Sequence, residues 1–304
     1  MRDWTRPATS HDIVSTFAYH RPGTIAELWQ LLAESAQGVK LLAGGTDLLV
    51  PVNKGTELPR VVIDLKRLDL LRSDISAVGG HLRVGALNVL TDLIGDPRIG
   101  RHFPALLEAA AAVGSVQIRN RATLVGNICN ASPAADTAPA LLVFGAVVNI
   151  LGSRGERSVP LEEFFLGPGL TVLQPAEIVT SIDLPLPPEV NGSAFVRVTR
   201  RRGFDLGTVS VSCLLVPGAA ARFGFGAVAP RPLLAVDDTI TLGDPDADPT
   251  EQSEALDHLL EVSSPISDLR ASRDYRLAML ASLSRRALQL AAERLRSARN
   301  GAAA

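Results

Sequence analysis

The chain has 304 residues, 46% of them hydrophobic, and a net charge of −2. That is enough apolar sequence for a sizeable core, and it predicts about two domains of roughly 150 residues each. No basic surplus points to nucleic acid or to an anionic membrane, and two cysteines, Cys129 and Cys213, cannot build a four-cysteine metal site and do not read as a disulfide-stapled fold.

Residues 1–15 hold Arg2, Asp3, Arg6, His11 and Asp12 and no apolar signal-peptide core. They read as an N-terminal arm. No run of about 18 apolar residues marks a membrane span, so a cytoplasmic chain is expected. Residues 24–36 read as a helix, with Thr24 as N-cap, Glu27 three residues on and a stripe of Leu28, Leu31 and Leu32. Val39–Leu42 and Arg60–Leu65 read as strands, giving a β-α-β start. Leu82–Ala86 is a further strand, Thr91–Ile94 begins a helix, and His102 through Val113 reads as one helix ended near Gly114. Val116–Ala122 leads into a central loop. Val147–Leu151 and Arg157–Pro160 form a hairpin about Gly152–Gly155. Glu177–Leu184 is a last strand before a linker marked by Pro185, Pro187 and Pro188. Three β-like runs follow, Ala194–Thr199, Thr208–Val216 and Ala221–Ala227, and then helices over Glu251–Glu261 and Tyr275–Ala298. The fold class is α+β, with the C-terminal sheet carrying helices on one face. The basic Arg285–Arg299 stretch reads as a solvated helix face.

Two segments break this pattern. Thr123-Leu124-Val125-Gly126-Asn127-Ile128-Cys129-Asn130-Ala131-Ser132-Pro133-Ala134-Ala135-Asp136 is neither a clean helix nor a clean strand. Gly126 permits close approach or a positive φ. Asn127, Asn130 and Ser132 offer hydrogen bonds that a tight loop turns inward. Asp136 stands at a helix start, with Pro139 in the first turn. The same residues would serve an ordinary loop and helix cap. Leu42-Ala43-Gly44-Gly45-Thr46-Asp47-Leu48 follows a short apolar run. Its paired glycines leave backbone N–H groups uncovered, which suits a phosphate, although most Gly-Gly turns are only turns. Two such segments point to one anionic ligand.

Together they resemble the paired FAD loops of the flavin subunit of molybdenum hydroxylases, the xanthine dehydrogenase and carbon monoxide dehydrogenase family. Further segments carry the resemblance along the chain: Phe17–Pro22, Phe164–Gly169, Thr171–Leu173, Glu177–Val179 and Arg200–Leu206. It implies a FAD-binding domain of the vanillyl-alcohol-oxidase (PCMH) type over 16–186, with subdomains of about 16–66 and 67–186, and a C-terminal flavoprotein domain over 191–300. It places FAD against Leu42, Ala43, Gly44, Gly45, Thr46, Asp47 and Leu48, and against Thr123, Leu124, Val125, Gly126 and Asn127. Asp136, Gly114 and Val179 match further family positions at the cofactor. The chain departs from the family at Val125, where glycine is usual. Valine disfavours a positive φ, so either that position is not left-handed here or FAD is held more loosely. Near Gly207 or Thr208 some relatives have a flavin-contacting lysine, and Leu170 replaces another; neither charge is present.

The resemblance implies an electron-transfer subunit rather than a catalytic one. A large molybdenum-pterin subunit would hydroxylate the substrate, and a small subunit would relay electrons through [2Fe–2S] clusters, in a dimer of heterotrimers. Alternatives are a self-contained flavin oxidase of the same fold and an assembly subunit without FAD. The histidines His11, His20, His81, His102 and His258 lack metal-ligand spacing. No Rossmann glycine fingerprint follows a strand.

Overall fold

The computed structural model describes residues 16–34, 38–201, 203–244 and 247–302. The N-terminal arm expected over 1–15 lies outside them. The chain forms two compact units, one ending at Leu71 and the other beginning at Arg72.

The first unit is a small parallel sheet of β1 (Ala18–His20), β2 (Val39–Leu42) and β3 (Val61–Asp64), in the order β1-β3-β2. Helix α1 (Ile25–Glu34) connects β1 to β2. Its start is a variant of the capping box. The Glu27 N–H donates to Thr24 Oγ1 at 3.3 Å, and Glu27 Oε2 accepts from the Gly23 N–H at 2.8 Å rather than from the cap residue itself. Leu28 is the residue of α1 that is fully buried. The short helix α2 (Leu49–Asn53) follows the Gly44–Gly45 loop.

The second unit opens with β4 (Ile75–Val78) and β5 (His81–Gly85), then a run of short helices: α3 (Leu90–Gly95), α4 (Pro97–His102), α5 (Pro104–Ala112), α6 (Val116–Arg119), α7 (Leu124–Cys129) and α8 (Thr137–Val143). The helix expected over His102–Val113 is α5, which begins two residues later at Pro104, and His102 instead ends the separate helix α4. Phe103 stands between them at φ −132° and ψ 54°, because the proline that follows it clashes with an α conformation at the residue before. Strands β6 (Val147–Gly152) and β7 (Gly155–Pro160) form the expected hairpin, with Gly152 opposite Gly155. Helix α9 (Leu161–Phe164) and the small ribbon of β8 (Phe165–Gly167) and β9 (Leu170–Thr171) precede β10 (Glu177–Pro185). The sheet order β4-β5-β10-β6-β7 makes β10 central, antiparallel to both neighbours.

The C-terminal sheet is an antiparallel meander of β11 (Gly192–Val198), β12 (Val209–Leu215), β13 (Arg222–Gly226) and β14 (Leu233–Val236). Every residue of β12 is buried, so both of its faces are covered. Val209, Val211, Cys213, Leu215, Phe223 and Phe225 pack with α10 (Pro249–Leu260) and α11 (Arg273–Ala302). The other face of the sheet meets helices that lie earlier in the same unit. A Cβ on Gly224 would stand 2.1 Å from the Pro139 carbonyl oxygen on α8. Ser193 Oγ accepts from the Ala105 N–H on α5. Arg294 on α11 is not solvated with its neighbours: it donates to the Ser193 carbonyl and to Glu108 of α5.

Candidate cofactor site

The Gly44–Gly45 loop belongs to the first unit and the Thr123–Asp136 segment to the second. The first loop leaves the C-terminal end of β2. Gly45 has φ +78°, and a Cβ there would meet Leu42 Cδ1 at 2.8 Å and Leu49 Cδ1 at 3.2 Å. Only glycine suits both the conformation and the space. The Gly45 carbonyl accepts from the Leu49 N–H at 3.0 Å and starts α2. The amides of Gly44, Gly45 and Thr46 meet no acceptor among the described residues, so they stand as consecutive free donors. Leu48 is already helical, at φ −61° and ψ −45°; Asp47 is exposed as a residue, yet partial desolvation of its carboxyl raises the pKa above the ordinary value.

This loop has a charged support that the sequence reading missed. Asp64, opposite Leu42 in the sheet register and only 3% exposed, receives the Tyr19 hydroxyl at 2.5 Å and Lys66 Nζ at 2.8 Å. Lys66 Nζ also donates to the Ala43 carbonyl at 3.1 Å. Burial works to raise the Asp64 pKa, but the bonds from Lys66 and Tyr19 outweigh it and hold the carboxyl below its ordinary value. The pair fixes the carbonyl immediately before the glycines.

The second segment is not the expected loop: its first half is helix α7. Thr123, extended at φ −99° and ψ 151°, is the N-cap, and its Oγ1 accepts from the Gly126 N–H at 2.9 Å. A Cβ on Gly126 would stand 2.8 Å from that hydroxyl. Gly126 is therefore present for space, and its φ is not positive. Val125 is helical too and 5% exposed, which answers the departure from the family pattern: the position is not left-handed. The left-handed residue of this segment is Ala131, at φ +47°, where α7 stops. The Leu124 N–H donates to the Asn88 carbonyl and the Asn127 N–H to the Thr123 carbonyl. The Val125 N–H meets no acceptor among the described residues.

The second unit brings Thr123, Leu124, Val125, Gly126, Asn127 and Asp136 together. Asn127 Oδ1 accepts from Thr137 Oγ1 at 2.6 Å, which ties α7 to the start of α8. Asp136 is at the N-cap position of α8, but its side chain makes no cap bond. It is 6% exposed and pairs through Oδ2 with Arg197 Nη1 at 2.5 Å. Its Oδ1 is buried and meets no hydrogen-bond partner among the described residues, as is true of Thr208 Oγ1. A Cβ on Gly207 would lie 3.1 Å from Asp136 Oδ1. Burial pushes the Asp136 pKa up to about 6, against the opposing pull of Arg197. Sequence reasoning missed Arg197; a basic residue in a strand carries no local mark of a buried partner.

Val179 lies on β10, which packs against α7, and is buried at a register shift in the strand. Gly114 has a plainer role. With φ +52° it ends α5, and Arg119 Nη1 donates to the Val113 and Gly114 carbonyls at 3.0 and 3.3 Å. The desolvated Cys129 thiol is raised to about 12 and stays neutral. Among the described residues, no helix is long and apolar enough to cross a membrane.

Within the first unit, free consecutive amides suit phosphate oxygens, and within the second, an orphaned buried carboxylate oxygen suits a hydroxyl; each taken by itself fits a part of a dinucleotide such as FAD. The comparisons with known proteins point the same way. The family model described as "FAD binding domain in molybdopterin dehydrogenase" matches residues 15–187. The "CO dehydrogenase flavoprotein C-terminal domain" matches 194–291. The chain is 34% identical to the xanthine dehydrogenase FAD-binding subunit of Escherichia coli O157:H7 over 276 residues, which cover 89% of this chain and 94% of that one. It is 30% identical to the carbon monoxide dehydrogenase medium chain of Hydrogenophaga pseudoflava over 279 residues, 90% and 96% of the two chains. A solved structure of carbon monoxide dehydrogenase from H. pseudoflava superposes with a TM-score of 0.85 at 31% identity, covering 91% of this chain and 98% of that chain. Quinoline 2-oxidoreductase from Pseudomonas putida 86 gives 0.83 at 29% identity, covering 91% and 97%. The chain belongs to the family of FAD-binding medium subunits of the molybdenum hydroxylases.

Proposed function

We propose that this chain is the electron-transfer subunit of a cytoplasmic molybdenum hydroxylase, passing electrons from the [2Fe–2S] clusters of a small partner subunit to an external acceptor. A large molybdenum-pterin subunit completes the complex, assembled as a dimer of heterotrimers. The observation that carries this reading is the likeness along nearly the whole chain to a chain of carbon monoxide dehydrogenase from H. pseudoflava, an enzyme with a molybdenum cofactor, solved in a form that lacks the Mo-pyranopterin moiety.

FAD supplies the exchange between one-electron and two-electron carriers, and the protein supplies binding and orientation. The free amides of Gly44, Gly45 and Thr46 are the phosphate donors of the first loop. The Val125 amide is the donor of the second, with Thr123 and Gly126 shaping the turn that presents it. Asp136 Oδ1 accepts a cofactor hydroxyl. Val179 gives an apolar wall.

The test is purification with the partner subunits, release of the flavin by acid, and a chemical reductive titration. Released FAD, rather than FMN, is expected. Removing FAD should abolish reduction of the external acceptor while the clusters still take electrons. Acceptor reduction that survives flavin removal would overturn the reading. Turnover of an organic substrate by this chain alone would make it a self-contained oxidase instead.

A further inference from the structure

Asp136 has been read above as a cofactor contact; what fixes its carboxylate is a separate matter. The Arg197 guanidinium reaches it from β11, sixty-one positions along the chain, and both side chains are largely shielded from solvent, at 17% and 7% exposure. The pair is asymmetric. Oδ2 carries the ion pair, and Oδ1 carries nothing. Beside Oδ1 stands Gly207, where even a Cβ would lie 3.1 Å from that oxygen. An acceptor both buried and unpaired is costly in a folded protein, and a ligand hydroxyl would satisfy it.

We propose that Arg197 is the positioning residue of the cofactor site: it holds Asp136 ionised and turned, so that Oδ1 is reserved for a hydroxyl of FAD. The proposal rests on the FAD reading of Asp136. It follows that FAD affinity is linked to one proton. Protonation of Asp136 breaks the ion pair and replaces a charge-assisted acceptor by a neutral one. Of the other ionisable groups on the elements packed against α8, Glu108 pairs with Arg294 and accepts from the Phe195 N–H, Arg222 donates to the Leu142 carbonyl at the far end of α8, burial keeps Cys129 and Cys213 of β12 neutral, and α9 carries Glu162 and Glu163 in its first turn. Arg197 is the charged group that acts on the Asp136 carboxyl.

The experiment is a fluorescence titration of FAD into the full chain, expressed with its partner subunits and stripped of flavin, between pH 5 and 7.5. Circular dichroism confirms folding at each pH. In the parent protein the dissociation constant should rise about tenfold as pH falls across this range, as linkage to one proton near pH 6 requires. Arg197→Met should move the midpoint upward by about one pH unit or more and weaken binding at pH 7 about tenfold. Arg197→Lys, which restores a charge without the guanidinium, should bring the midpoint back towards the parent value. Asp136→Asn should remove the pH dependence. Should the Arg197→Met chain fail to fold, the lysine and asparagine variants decide. FAD binding whose pH profile is flat, or whose midpoint is the same with and without the arginine, would overturn the assignment to Arg197 and leave the FAD reading standing. A parent chain that takes up no FAD at any pH would overturn both.

Discussion

The two glycine-bearing segments look alike in sequence and differ in physics. In the first, Gly45 is needed for its backbone: φ is +78° and the neighbouring amides are free. In the second, Gly126 is needed for its missing methyl. It sits in a helix, and the Thr123 hydroxyl occupies the space a Cβ would take. One loop is a left-handed glycine turn with donors left over. The other is a capped helix with most of its first-turn donors already engaged. Glycine alone does not say which of these a segment is; the residue three positions before it does, when that residue is a hydroxyl able to cap.

Changing Gly45 breaks the comparison most severely. Gly45→Val adds left-handed strain of about 1–3 kcal/mol and drives a side chain into Leu42 and Leu49. Displaced amides cost phosphate contacts as well. FAD affinity should fall on the order of tenfold to a thousandfold, and the chain should unfold at lower temperature. Titration with FAD and a thermal melt of the same sample measure both. Wild-type affinity in this variant would mean that the first loop does not hold the cofactor.

The second segment adds a carboxylate that is 6% exposed and paired with an arginine; the pKa of the first loop's Asp47 is also raised by desolvation. The folded chain holds Asp136 near pH 6, above the ~3.9 of an unfolded aspartate. The folded state therefore binds the extra proton between those values. In the flavin-free chain this group's contribution to stability is fully present below about pH 4 and is lost as pH rises through about 6. The difference is on the order of 2–3 kcal/mol. Asp136→Asn should flatten that part of the stability curve, measured by urea unfolding from pH 4.5 to 7. Asp64, Asp96 and Asp183 are held below their ordinary values and act in the opposite sense only at lower pH. An unchanged curve in Asp136→Asn would show that the carboxyl is not raised.

A smaller effect is expected where the cap meets the glycine. Gly126→Ala should cost up to about 1 kcal/mol by displacing the Thr123 hydroxyl, partly offset by alanine's better helix propensity. Thr123→Ala should cost about the same. The double variant should be no less stable than Thr123→Ala alone, because the alanine methyl then enters vacated space. Additive losses in this double-mutant cycle would mean that the contact between the two residues is not the reason for glycine.

Much of this was legible in the sequence, and the exceptions have physical causes. Strands β2 and β3 and the Gly-Gly turn between β2 and α2 announce themselves by an apolar run followed by paired glycines. The β6–β7 hairpin does so by Gly152 and Gly155. Helix α7 does not, because amides, a glycine and a valine give it poor intrinsic helicity; it forms because Thr123 caps it and because Leu124, Val125 and Ile128 bury. The break at Phe103 was there to be read in Pro104. Arg197 with Asp136, and Lys66 with Ala43, could not be read, since partners brought together by tertiary folding leave no spacing in the chain; Lys66 with Asp64, two positions apart, is the local exception. The helices α8 and α5 against the second face of the C-terminal sheet are hidden for the same reason.

Val125 sharpens the comparison by the smallest effect on the cofactor. The family's usual glycine suggests a backbone need, yet Val125 is helical and its side chain is buried. What it can give to a ligand is its free N–H, and that donor does not depend on the side chain. Val125→Gly should therefore leave FAD affinity within about twofold, a difference of less than ~0.5 kcal/mol. Stability is another matter. The change removes a buried isopropyl group, about 1.5 kcal/mol or more, and places glycine in a helix, about 1 kcal/mol relative to alanine. The variant should bind FAD as the parent does and melt well below it, unless bound FAD makes up the difference by mass action. A flavin-free melt removes that compensation. If affinity rises markedly in Val125→Gly, the valine obstructs the cofactor and the second loop holds it more loosely than in relatives. If affinity and stability fall together, the side chain itself shapes the site.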